Sequence, residues 1–79
     1  MTVAEQFGVS LRAWRRWSGH SQASLANAVG LHRTHISFLE RGKREPRLET
    51  IIRLADALGV HPSNMIMGIK RRGDAQAQR

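Results

Sequence analysis

The chain has 79 residues and no cysteine, which limits it to one small domain and excludes disulfides, thiolate metal sites and cysteine catalysis. Its formal net charge of +7 favours a polyanionic partner, either nucleic acid or an anionic membrane. No run of about 18 apolar residues occurs, and no charged leader precedes an apolar stretch, so neither a membrane span nor secretion is expected.

Thr2 followed by Glu5 reads as a capping box that opens a first helix. Phe7, Leu11 and Trp14 then recur at helical spacing, while Arg12, Arg15 and Arg16 take other faces. Gly19 is the expected stop. Ser21 is a suitable N-cap for a second helix over residues 22–29, which Gly30 ends after two turns. Leu31 and His32 lead into a third helix over residues 33–41, with Ile36 and Leu39 on its buried side and Gly42 at its end. The loop Arg41-Gly42-Lys43-Arg44-Glu45-Pro46-Arg47 is the most basic stretch, and Pro46 restricts its exit. A fourth helix is predicted over 48–58, with Leu48, Ile51, Ile52, Ala55 and Leu58 on one side. Gly59 ends it, and Pro62 opens a short fifth helix containing Met65 and Ile66. Residues 69–79 have little to bury and read as a polar, basic, fraying tail to a domain of residues 1–68.

The two short helices joined at Gly30 are the informative pair. Ala26 keeps the inner face small, and Gly30, four residues on, is free to take positive φ. Leu25, Val29, Leu31, Ile36 and Leu39 form an apolar wedge between the helices. The second of the pair is left with an outward face of Arg33, Thr34, Ser37 and Phe38, residues able to reach base edges in a major groove. The ordinary reading of a basic loop is a solvated surface. Beside such a helix, a phosphate grip is the sharper one.

Several segments together carry a resemblance. They are Leu11-Arg12-Ala13-Trp14-Arg15, Ser21-Gln22-Ala23-Ser24-Leu25-Ala26, the run from Ile36 through Pro46, and Leu54-Ala55-Asp56-Ala57-Leu58-Gly59-Val60. Over roughly residues 7–67 the chain resembles the Xre/Cro family of helix-turn-helix regulators. That family includes phage repressors, Cro proteins and the controller proteins of restriction–modification systems. Arg33-Thr34-His35-Ile36-Ser37 is especially similar to the recognition helix of the controller proteins.

The resemblance implies an all-α, five-helix fold of the lambda-repressor-like type. It also implies a cytoplasmic regulator, bacterial or phage-encoded, that binds a palindromic operator in double-stranded DNA as a homodimer. By that resemblance Gln22 meets a phosphate, and Arg33, Thr34 and His35 read bases with Ser37 and Phe38 nearby. Arg41, Lys43 and Arg44 grip the backbone, and Glu40 pairs with Arg15 of the first helix. His32, Arg47 and His61 stand where family helices begin with Ser, Thr, Asp or Asn, a departure that leaves three helix starts without the expected cap. Phe38 also departs, since its position is usually small or polar.

Five helices in so short a chain leave the last one little surface of its own to bury against. Met65, Ile66 and Ile69 are therefore expected as dimer anchors, the alternative being that Met65 and Ile66 close the chain's own core. An antitoxin-like protein that also binds a partner toxin is the principal competing reading, with only the tail from about Ile69 available for that role. Other chemistries find less support. His32 and His35 have the spacing for a helical metal pair but no third ligand fixed beside them. No serine is paired with a base and an orienting acid, so no enzyme is expected. The tryptophans and arginines of residues 12–17 have a membrane-surface composition, yet Trp14 falls on the buried stripe with Leu11. No cofactor or small-molecule ligand is implied.

Overall fold

Three of the five helix starts have a local side-chain cap. The computed structural model describes residues 1–71, and among them it holds five α-helices and no strand: α1 (Val3–Trp17), α2 (Gln22–Val29), α3 (Arg33–Glu40), α4 (Leu48–Leu58) and α5 (Pro62–Ile66). At the start of α1 the Glu5 N–H donates to Thr2 Oγ1 at 3.0 Å, and the Thr2 N–H donates to Glu5 Oε1 at 2.8 Å. The capping box is therefore present as expected. Ser21 and Ser24 cap α2 in the same reciprocal way, at 2.9 and 3.0 Å. Helices α3 and α4 start at His32 and Arg47 with no side-chain cap. At α5 the expectation fails, because His61 Nδ1 accepts from the Ser63 N–H at 3.2 Å and does the work of an Asn or Asp oxygen.

Helix α1 lies across α3 and α5, while α2 packs on α3 and α4. Phe7, Leu11, Leu25, Ile36, Leu39, Leu54 and Met65 meet at the centre, fully buried. The wedge between α2 and α3 is as predicted, with Leu31 only partly buried at its edge. On α4 the predicted stripe needs correction. Thr50, Leu54, Ala55 and Leu58 are buried and Ile51 is partly buried, but Leu48 is 73% exposed and Ile52 49%. The inward spacing runs 51-54-55-58, and Ile52 falls beside it. Met65 needs correction too: it is a core residue of this chain and is not free to anchor a partner.

Polar contacts fix α5 and the segment after it. Ser10 Oγ donates to the Met65 carbonyl at 2.7 Å and Trp14 Nε1 to the Asn64 carbonyl at 3.3 Å. Trp14 is half-buried, and Trp17 meets its edge at 5.3 Å while staying largely exposed. The Gln6 amide accepts from the Lys70 N–H at 3.0 Å and donates to the Lys70 carbonyl at 2.7 Å. Ile69 packs against the core. The folded part thus runs past the boundary expected at residue 68, as far as Lys70; residues 72–79 of the predicted tail lie outside the described residues.

Of the glycines, Gly8 has the closest neighbours, and the sequence pattern did not single it out. A Cβ there would lie 2.4 Å from the Glu40 carbonyl oxygen and 2.6 Å from that of Leu39. With Ala4 one turn earlier, Gly8 forms a small-residue strip that lets α1 rest on the backbone at the end of α3. Gly30 is a different case. It ends α2 at φ +71°, and an added Cβ would meet only the tip of the Arg53 side chain, at 3.0 Å. The Leu31 N–H closes the turn on the Ala26 carbonyl at 2.9 Å. Backbone cannot step aside as a side chain can. Gly8→Ala should therefore cost about 3 kcal/mol, lowering the melting temperature by roughly 15 °C. Gly30→Ala should cost about 1 kcal/mol for its left-handed backbone. Thermal melts that rank the two variants equally, or in reverse, would show that α1 has room to move away from α3.

Candidate nucleic-acid interface

Three helices converge on one carboxylate. Glu40, the last residue of α3, receives Arg15 Nε on Oε2 at 2.5 Å and Arg15 Nη2 on Oε1 at 3.1 Å, a two-pronged pair. Gln22 Nε2 at the start of α2 donates to the same Oε1 at 3.1 Å. Arg15 also donates from Nη1 to the His20 carbonyl at 2.9 Å, which secures the turn between α1 and α2. The side chains of Arg15 and Glu40 are only 11% and 4% exposed. The hydrogen bonds that Arg15 donates to Glu40 raise its pKa despite partial desolvation, so the guanidinium stays charged. This network orients α3 against the rest of the domain.

What α3 turns outward is polar and basic. Arg33 and Thr34, in its first turn, are exposed, and His35, Ser37 and Phe38 are half-exposed along the same helix. Arg41, Lys43 and Arg44 follow immediately and are exposed. Among the described residues, none of Arg33, Arg41, Lys43 or Arg44 is paired with a carboxylate. The structure therefore brings the expected base-reading and backbone-gripping residues onto α3 and the loop that continues it. Gln22 differs from expectation in one respect: its side-chain amide is already bonded to Glu40, leaving one amide hydrogen and the carbonyl oxygen for another partner.

Two further residues have roles that the sequence pattern does not reveal. Arg53 falls at the edge of the basic region, but its guanidinium donates to the Val29 carbonyl at the end of α2, where positive charge offsets the helix dipole. That cation supports the turn. Phe38 carries a contact that the sequence leaves open: the guanidinium carbons of Arg41 and Arg44 lie 5.3 and 5.6 Å from its ring centroid. Among the described residues, no three His, Cys, Asp or Glu side chains cluster as a metal site would require, and no helix is long and apolar enough to cross a membrane.

Comparison with known proteins agrees with this geometry. Residues 11–64 match the helix-turn-helix family HTH_3. The control protein C.BamHI of Bacillus amyloliquefaciens is 43% identical over 61 residues, 76% of this chain and 75% of the relative. The control protein C.SmaI of Serratia marcescens is 41% identical over 58 residues, 73% of this chain and 69% of the relative. Among solved structures, the restriction-modification controller protein C.AhdI from Aeromonas hydrophila aligns with a TM-score of 0.76 and 39% identity, covering 78% of this chain and 94% of that one.

The Glu40 network makes a stability prediction. Removing one member strands a buried charge, whereas removing both does not. Glu40→Gln alone should destabilise by about 3 kcal/mol, and Arg15→Met added to it should recover part of that loss. A double-mutant cycle in urea tests this, and additive single effects would show that the pair is uncoupled.

Proposed function

This chain belongs to the HTH_3 helix-turn-helix family of DNA-binding transcriptional regulators and is not an enzyme, and on that premise we propose that it is a restriction–modification controller acting as a homodimer on a palindromic operator. One observation carries the reading. The exposed first turn of α3 offers Arg33 and Thr34 beside a loop whose Arg41, Lys43 and Arg44 have no acidic partner among the described residues. Arg33, Thr34, His35 and Ser37 read base edges from the major groove, with Arg33 suited to a bidentate contact with guanine. Arg41, Lys43, Arg44 and the remaining hydrogen-bonding capacity of Gln22 fix the register on phosphates. The similarity to C.BamHI, C.SmaI and C.AhdI supports a controller over a phage-type repressor.

The dimer contact comes from the C-terminal helices. Leu48 and Ile52, one turn apart on α4, are exposed, as are Ile66 on α5 and Met67 directly after it. Ile66 and Ile69 also share a cleft with Ile51, Val3 and Phe7. Such an apolar surface is costly to leave in water, and a two-fold axis through it buries it twice. Two recognition helices on one face then meet half-sites about one helical turn apart, roughly 34 Å between centres.

Selecting bound duplexes from a random-sequence pool tests the whole reading, and a set with no inverted repeat would overturn the palindromic operator. With a selected duplex in hand, the contacts separate by how they fail. Arg33→Ala should lose about 1–3 kcal/mol on the selected duplex and little on a scrambled one. Lys43→Ala should weaken both alike and flatten the slope of log affinity against log salt by about 0.9. Equal losses on both duplexes for Arg33→Ala would make it a phosphate contact. For the interface, Ile66→Asp should give a folded monomer with weakened operator binding. An intact dimer in sedimentation would move the contact away from α5.

A further inference from the structure

The Phe38 ring lies on the recognition helix, yet two cations already occupy its surroundings. The guanidinium of Arg41, less than one turn further on, lies 5.3 Å from the ring centroid. That of Arg44, beyond the turn at Gly42, lies 5.6 Å away. Both side chains are exposed, and among the described residues neither meets a carboxylate. Left alone in water, two long arginines so placed would sample many rotamers and repel each other. The electron-rich π system of the ring attracts each guanidinium, which offsets that repulsion and narrows the choice of rotamers.

From this geometry we infer that Phe38 is a positioning residue: it racks Arg41 and Arg44 into a ready-made seat for a phosphodiester anion, and it does not itself read a base. The inference deepens the function proposed above and rests on it for the location of the DNA. Unpaired guanidiniums gathered at one ring form a local charge of +2, of which a phosphodiester, with its single negative charge, offsets half. Because the ring has already restricted them, less rotamer freedom is lost when the anion arrives. A small residue at position 38 would leave both arginines to be ordered by the DNA. Base reading is then left to the exposed residues one turn earlier, Arg33 and Thr34, with His35 and Ser37.

The test uses the full chain, its selected duplex and a scrambled duplex of equal composition, titrated by fluorescence anisotropy well below the melting temperature of each variant. Phe38→Leu keeps apolar bulk but removes the ring, and should weaken binding to both duplexes by the same factor, about three- to tenfold. Phe38→Tyr keeps the face and should stay within about twofold of the parent. In the Phe38→Leu background the further loss from Arg41→Ala should be smaller than in the parent, since the ring and the arginine act together. Unchanged binding by Phe38→Leu would overturn the inference. So would a loss confined to the selected duplex, or a changed base preference, since either would make Phe38 a base reader. A Phe38→Tyr variant as weak as Phe38→Leu would overturn it as well. Should the parent bind scrambled DNA without preferring any sequence, the operator reading fails, yet the comparison on scrambled duplex still decides the role of the ring.

Discussion

Glu40 is the point on which the geometry of this domain depends. A carboxylate almost out of water must have its lone pairs filled, and here Arg15 and Gln22 fill them from two other helices. The backbone carbonyl of the same residue is where Gly8 admits α1 at its closest. One residue thus fixes both the separation and the rotation of α1 against α3. Because α3 is only two turns long, its outward side chains are aimed by the burial of Ile36 and Leu39 together with the network at its C-terminal end.

That arrangement explains why the domain can be small. Its apolar centre is built from a few large side chains supplied by all five helices, and neither α3 nor α5 is long enough to stand alone. Stability comes from the tertiary contacts. The ends of the shorter helices and the segment after α5 are therefore tied by specific polar groups: Arg53 on the last carbonyl of α2, Ser10 and Trp14 on the carbonyls of α5, and Gln6 on the backbone of Lys70. Each of these donors belongs to one of the two longest helices, α1 and α4, which act as the frame.

How much of this was legible in the sequence follows from how far apart the interacting groups lie. Helix starts at Thr2 and Ser21 and the turn at Gly30 are local chemistry within about five residues, and the structure agrees with all three. The Arg15–Glu40 pair spans a longer distance and is reached only through the resemblance to a family. Gly8 is silent in the sequence because its partner is backbone more than thirty residues later, although the Ala4–Gly8 spacing is a signal that α1 approaches something closely. Met65 and Ile66 are adjacent in a five-residue helix, too short for periodicity to say which points inward. On α4, apolar residues are so frequent that more than one stripe fits, and only packing selects the one through Leu54. The His61 cap is hidden for a chemical reason, since an imidazole nitrogen can accept as a carboxamide oxygen does.

The molecule therefore separates two kinds of electrostatics. The Arg15–Glu40 pair is shielded from solvent, so added salt weakens it little. Arg33, Arg41, Lys43 and Arg44 are exposed and without acidic partners among the described residues, so their attraction to a polyanion is the part that counterions compete with. The charge that holds the fold together and the charge left open to a polyanion are carried by different residues in different dielectric surroundings. Binding and release can then follow ionic strength while α3 keeps its orientation.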